Sequence, residues 1–171
     1  MAGDRLAVPG GTWLANLRHL DRLAVGHRPD WRYRSVAALL LDVGRLFTTA
    51  ARPTGREHGQ QGNCYADCAL LAGEAPGLVY AEGLAWFGRH PVEHAWCVDT
   101  GNGSVLDPAG PQLAAVYVGV PIVGQAAGQL MADLPGPFTG DGLLLGAWLR
   151  HGVPGELLVD VGRPVRAGVA R

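Results

Sequence analysis

From residue 77 onward the hydrophobic pattern of the chain changes from a helical period to a period of two. Residues 78–86 alternate between two sets of side chains, and GRHP at 88–91 is a turn signal. VEHAWCVD and SVLDP follow as strands joined by TGNG, and AVYVGVPI at 115–122 predicts a further strand or an edge segment. Strands joined by such short turns pair antiparallel. The second half of the chain therefore predicts an antiparallel sheet.

The first fifty residues instead carry the pattern of two helices. Residues 12–25 place their apolar side chains on one stripe, which is typical of an amphipathic helix on a core. A second helix begins after Ser35, whose side chain can cap it, and its wide apolar surface extends until Arg52 and Pro53 stop it. We expect both helices to cover one side of the sheet.

A third helix begins at Cys64, with Asn63 as its N-cap and Gly73 as its C-terminal stop. Residues 141–151 predict a short helix, and residues 156–160 predict a last strand. These elements predict an α+β fold in a single domain over residues 1–171, with covering helices in 1–52, a central core in 59–122 and a C-terminal completion in 123–171.

The charge pattern argues against two classes of partner. The chain has 14 basic and 15 acidic residues, a net charge of -1, and both signs are scattered along it. Binding of nucleic acid needs a basic stripe, and binding to a membrane surface needs a polybasic segment. No apolar run reaches the length of about 18 residues that crosses a bilayer. We therefore expect a cytoplasmic protein that binds neither nucleic acid nor membrane.

Cys64 is the cysteine whose position suggests chemistry. Three cysteines are too few, and of the wrong parity, for a disulfide framework. At a helix N-terminus, unpaired N–H groups and the helix dipole favour a thiolate. A catalytic thiolate also needs an imidazole to take its proton and a third group to orient that ring. His94 and Asp107 are the candidates for these two roles.

The spacing of the strands brings His94 and Asp107 to one face of the sheet. If TGNG joins the two strands, Asp99 lies opposite Ser104. The same register places Asp107 opposite Trp96 and therefore diagonal to His94. Diagonal neighbours lie about 7–8 Å apart at Cα, which an imidazole and a carboxylate can bridge. A tight two-residue turn would slide the pair apart, so we predict the wider turn.

These motifs resemble a known superfamily. The sequence G-x-C before a helix, H-A-W on a strand and D-P at the end of the next strand resemble the transglutaminase-like cysteine enzymes, which are related to the papain-like proteases. The matching residues are Gly62-Asn63-Cys64, His94-Ala95-Trp96 and Leu106-Asp107-Pro108. The resemblance covers residues 59–122. The family often has Val-Glu after H-A-W and Thr after D-P, where this chain has Cys97-Val98 and Ala109, so the subfamily stays open.

The resemblance implies acyl transfer through a thioester. Cys64 would be the nucleophile, His94 the general base and then acid, and Asp107 the carboxylate that orients the ring. The implied fold is α+β of the transglutaminase or papain-like type, with the nucleophile helix packed on an antiparallel sheet. The implied reaction requires no cofactor, and the substrate would be a peptide or a small acyl compound with an amide or thioester bond.

Four further residues are candidates for contacts to the oxyanion or the substrate. Gln60 and Gln61 lie just upstream of the cysteine, where papain-like enzymes carry a glutamine, although the spacing here is shorter. Glu82 lies on the strand next to that of the histidine, as either a cleft residue or a solvated strand position. Trp96 shares a strand face with the histidine.

Two interpretations without catalysis also stay open. The first is a structural module that holds zinc with Cys64, Cys68, His94 and Cys97. Against it, His94 and Cys97 lie an odd number of residues apart on a strand and so point to opposite faces. Cys68 and Cys97 are otherwise expected as buried thiols. The second interpretation is an inactive domain of the same fold that binds a peptide.

Overall fold

The predicted antiparallel sheet forms, and its strands come from both halves of the chain. The computed structural model describes residues 7–8, 11–24, 29–47, 64–108, 114–132 and 143–165. In these ranges the strands are β1 (Ala7–Val8), β2 (Gly11–Thr12), β3 (Arg45–Phe47), β4 (Leu78–Trp86), β5 (Val92–Asp99), β6 (Val105–Leu106), β7 (Val116–Ile122) and β8 (Arg163–Pro164). The main sheet has the order β6-β5-β4-β7-β3-β8 with every neighbouring pair antiparallel, and β1 pairs with β2 separately.

Five helices accompany the sheet within the described ranges: α1 (Trp13–Leu23), α2 (Val36–Val43), α3 (Cys64–Glu74), α4 (Gly124–Ala132) and α5 (Leu143–His151). The predicted N-cap of α2 is confirmed, because the Ser35 hydroxyl accepts the N–H of Ala38 at 2.9 Å. None of these helices, as far as the chain is described, combines the length and the apolar character needed to cross a membrane.

The sheet is curled, and its two faces bury different clusters. One face, here called the helical face, packs under the helices. Its sheet side chains include Tyr80, Leu84, Cys97 and Ile122, which share a cluster with Leu17 of α1 and Leu40 of α2. The other, here called the enclosed face, buries Phe47, Trp96, Val98, Tyr117 and Val161. The curl brings the two edges of the sheet near each other, since a Cβ on Gly103 would lie 4.0 Å from the Val161 side chain.

Two glycines face each other across β4 and β7 and leave room for large rings on the enclosed face. Gly83 pairs with Gly119 on one side and with His94 on the other. A Cβ on Gly119 would lie 2.5 Å from the Trp96 ring, and a Cβ on Gly83 would lie 2.2 Å from the carbonyl oxygen of Val118. A side chain at either position would therefore displace the ring or the backbone beside His94.

We expect Gly119→Ala to lower the free energy of unfolding by about 2–4 kcal/mol, because the added methyl group overlaps a fully buried indole ring. The matched control is Gly128→Ala on α4, where no neighbouring atom lies within 4 Å of the added Cβ. Alanine there should stabilise the protein by about 0.5–1 kcal/mol. Urea unfolding measures the stability of both variants. Equal midpoints for the two would show that the Trp96 ring moves aside without a cost in stability.

The second predicted helix ends earlier than its sequence pattern indicates. α2 ends at Val43, and Arg45–Phe47 form strand β3 between β7 and β8. The helix ends and the strand begins at Gly44, because its backbone is extended and its N–H donates the last hydrogen bond of the helix to the Leu40 carbonyl at 3.0 Å. An apolar run of this kind suits either a helix or a buried strand, and pairing with two neighbouring strands decides it. Residues 48–52 lie outside the described residues.

The third helix begins at Cys64 as predicted but does not end at Gly73. It continues to Glu74, and Gly77, with φ of 84°, then turns the chain into β4. The predicted N-cap, Asn63, lies outside the described residues.

The C-terminal prediction is partly corrected. α5 confirms the helix predicted over 141–151. Residues 156–160 do not form the predicted strand, because Gly155–Leu157 make a 3-10 turn and Leu158 makes only an isolated bridge to Ile122. The sequence pattern also did not predict α4.

Candidate functional site

The β5–β6 hairpin has the register that the sequence predicts. Asp99 donates its N–H to the Ser104 carbonyl at 3.0 Å, so the wide turn over TGNG forms. Val98 pairs with Val105 and Cys97 pairs with Leu106, which continues the same register away from the turn. Asp107 therefore lies diagonal to His94, on the enclosed face of the sheet.

His94 and Asp107 form a buried hydrogen bond. The Nε2 atom of His94 lies 2.8 Å from Oδ2 of Asp107, and the two residues are 8% and 4% exposed. Tyr117 on β7 donates its hydroxyl to the same carboxylate oxygen at 2.9 Å. The N–H of Ala114 donates in turn to that hydroxyl at 3.0 Å. A buried carboxylate with these partners is held in one orientation.

Cys64 lies near the imidazole, because its thiol is one of the groups that raise the pKa of His94. It is the first residue of α3 and is half-buried. Two further thiols attach α3 to β5: Cys68 donates to the Ala95 carbonyl at 3.4 Å, and Cys97 donates to the Cys68 carbonyl at 3.3 Å. These contacts hold the helix against the residue that follows His94.

The surroundings of His94 favour its protonated form at neutral pH. Burial on its own lowers the pKa of His94, but hydrogen bonds to Asp107 and Cys64, with the charges of both, outweigh burial and raise the pKa from 6.5 to about 9. Because Asp107 engages Nε2, the ring nitrogen left for the sulfur is Nδ1. A protonated imidazole beside a thiol is the arrangement in which cysteine nucleophiles are activated.

Three aromatic rings surround the imidazole. Phe87 meets it edge-on with ring centroids 5.3 Å apart, Trp96 stacks on it at 6.4 Å, and Tyr117 lies at 6.5 Å. Phe87 is 39% exposed, whereas the other two rings are fully buried. The rings restrict rotation of the imidazole and keep water from its bond to Asp107.

The other candidate residues do not reach the same place. Glu82 is fully buried on the helical face, where Tyr80 donates its hydroxyl to it at 2.8 Å, and it points away from His94. Trp96 is fully buried and packs against the ring of Phe47. Neither Glu82 nor Trp96 therefore reaches a surface that a substrate could contact. Gln60 and Gln61 lie outside the described residues.

The four residues of the possible zinc set do not converge. His94 lies on the enclosed face and Cys97 on the helical face, as their odd spacing predicts. Burial raises the pKa of the Cys68 thiol well above its usual value, which keeps this thiol neutral. Across the described ranges, no group of three or more His, Cys, Asp or Glu side chains is placed to hold a metal ion.

Sequence reasoning missed Tyr117. No local motif marks it, and its partner Asp107 belongs to a different hairpin. The available signal was that Tyr117 is the one residue of VYVGVPI with a polar side chain, in a strand that is otherwise apolar. A hydroxyl in such a strand usually finds a hydrogen-bond partner.

The fold and the site together define an α+β protein with a curled antiparallel sheet, in which a histidine is hydrogen-bonded to a buried aspartate and lies near a cysteine at the start of a helix. The chain matches no protein-family model, no curated protein and no solved structure. The geometry of the site is therefore what bears on its function.

Proposed function

We propose that the protein is a transglutaminase-like cysteine enzyme, which moves an acyl group from an amide or thioester through a covalent thioester. The observation that carries the proposal is the buried hydrogen bond from His94 to Asp107, with Cys64 at the start of α3 near enough to raise the pKa of His94. The position of α3, with its first residue at the imidazole and its body on an antiparallel sheet, supports a fold of the transglutaminase or papain-like type. The proposed substrate is a peptide or a small acyl compound.

In the first half-reaction the Cys64 thiolate attacks the carbonyl carbon of the substrate. Nδ1 of His94 gives its proton to the leaving nitrogen or sulfur as the bond to the carbonyl breaks. The acyl group is then a thioester on Cys64. In the second half-reaction water or an amine attacks this thioester and passes its proton to Nδ1. The C–S bond breaks, and the thiolate–imidazolium pair returns while Asp107 stays ionised throughout.

The state of the cysteines agrees with this chemistry. All three, Cys64, Cys68 and Cys97, are free thiols. A thiol nucleophile persists where the surroundings are reducing, so we place the reaction in the cytoplasm.

The first test is which thiol reacts. We expect iodoacetamide at pH 7 to alkylate Cys64 at least about tenfold faster than Cys68 or Cys97, because Cys64 is only partly buried and lies near an imidazolium, whereas the other two thiols are fully buried. Mass spectrometry of peptides over a time course measures the three rates. Faster labelling of Cys97 would contradict the proposal.

The second step of this test asks whether the thiol performs acyl chemistry. p-Nitrophenyl acetate should place one acetyl group on Cys64 and release p-nitrophenolate, and the acetyl group should then be lost to water. A Cys64 that is alkylated quickly but never acetylated would indicate the inactive, peptide-binding domain instead.

A further inference from the structure

We infer that Tyr117 is a positioning residue of this site, which acts on the reaction through Asp107. The inference rests on the proposed function and adds a member to the site from β7, a strand that carries none of the three residues named so far. The Tyr117 hydroxyl lies 2.9 Å from Oδ2 of Asp107, the same oxygen that faces Nε2 of His94 at 2.8 Å. Two side chains from different strands thus meet at one carboxylate oxygen.

The direction of the hydroxyl proton follows from its partners. A phenol has one proton to donate and lone pairs to accept with. The backbone N–H of Ala114 donates to the Tyr117 oxygen at 3.0 Å and so takes up a lone pair. An ionised carboxylate only accepts. The O–H of Tyr117 therefore points at Asp107, and the Ala114 amide holds it in that direction.

Tyr117 is also held rigidly. Its side chain is fully buried, its ring lies 5.0 Å from that of Trp96, and Phe87 contacts it edge-on at 6.3 Å. A donor that cannot turn away fixes Oδ2 in the plane that the imidazole needs. It also draws negative charge from that oxygen, so it weakens the attraction between the carboxylate and the imidazolium.

The chain offers a matched control for a buried tyrosine that donates to a carboxylate. Tyr80 is fully buried and donates its hydroxyl to Glu82 at 2.8 Å on the helical face. Tyr80→Phe removes the same chemical group, with a comparable loss of a buried hydrogen bond, but leaves Asp107 and its partners as they are.

The experiment compares acetylation of Cys64 by p-nitrophenyl acetate in the wild type, Tyr117→Phe and Tyr80→Phe. We expect Tyr117→Phe to lower the maximal acetylation rate about tenfold, with the ester concentration at half-maximal rate unchanged. Tyr80→Phe should leave both values within about twofold of the wild type. Thermal unfolding of each variant shows whether it is folded at the assay temperature.

A double-mutant cycle with Asp107→Asn separates positioning from general packing. If Tyr117 acts through Asp107, Tyr117→Phe should have less than about a twofold effect in the Asp107→Asn background. A merely structural loss would instead lower the rate by the same factor in both backgrounds, and this result would overturn the inference.

The titration of His94, followed by ¹⁵N NMR of its imidazole, is the second readout. The titratable groups that act on His94 and Asp107 are Cys64 and Cys68 of α3, with Tyr117 facing them from β7. Without the Tyr117 hydroxyl more charge stays on Oδ2, so the His94 midpoint should move to higher pH in Tyr117→Phe and stay in place in Tyr80→Phe. A midpoint unchanged in Tyr117→Phe would also overturn the inference.

The same data distinguish failure of the inference from failure of the proposed function. If wild-type Cys64 is not acetylated, the proposed function fails. If wild-type Cys64 is acetylated and Tyr117→Phe matches it in either the rate or the midpoint, only the role of Tyr117 fails.

Discussion

Replacing Cys64 or His94 by alanine should each lower acetylation by about four to six orders of magnitude, and the double variant should lose no more than either single variant. Cys64 provides the sulfur of the new bond and His94 holds the proton that the thiol gives up, so neither residue acts without the other. Residues that act as one catalytic unit are not additive. Single-turnover kinetics with p-nitrophenyl acetate, measured by release of p-nitrophenolate, provide the three rates.

The matched control for His94 is His90→Ala. His90 is exposed in the turn between β4 and β5, four residues earlier in the chain. Its loss should change the rate by less than about twofold, as expected for a surface substitution away from the site. Losses for Cys64→Ala and His94→Ala that add in the double variant would mean that the two side chains act separately, contrary to the proposed mechanism.

Asp107→Asn should leave the fold intact but lower turnover by about 10⁴-fold. The amide of asparagine can present its own N–H to Nε2, which favours the tautomer with its proton on the wrong nitrogen. The charge of Asp107 is also lost, so burial is opposed only by Cys64 and the pKa of His94 falls from about 9. A smaller fraction of His94 is then protonated at neutral pH, and alkylation of Cys64 by iodoacetamide at pH 7 should slow by about tenfold.

Asp99→Asn is the control for this change. Asp99 lies on the same hairpin, and its Oδ1 accepts the N–H of Gly101 at 2.7 Å in the turn, a bond that an amide oxygen can keep. Its alkylation and acetylation rates should match those of the wild type. A wild-type rate in Asp107→Asn would show that Asp107 orients no catalytic histidine.

Local patterns in the sequence determined much of the site in advance. The start of α3 at Cys64, the strand over residues 92–99 and the TGNG turn are all readable from neighbouring residues. A turn of known length sets which side chains share a face, so His94 and Asp107 could be paired although they lie 13 residues apart. Capping of α2 by Ser35 is similarly local.

Packing between distant segments decided the rest. The run after Gly44 became strand β3 because β7 and β8 provide partners, which a local pattern does not reveal. The alternation of side chains along β4 and β5 places Glu82 and His94 on opposite faces, but only once the register between the two strands is known. The alternation does not show which face the helices cover. The bond from Tyr117 to Asp107 needs β7 beside β4 and a curled sheet. These features depend on strand order and burial. Contacts between residues far apart in sequence determine both, and a window of neighbouring residues does not contain those contacts.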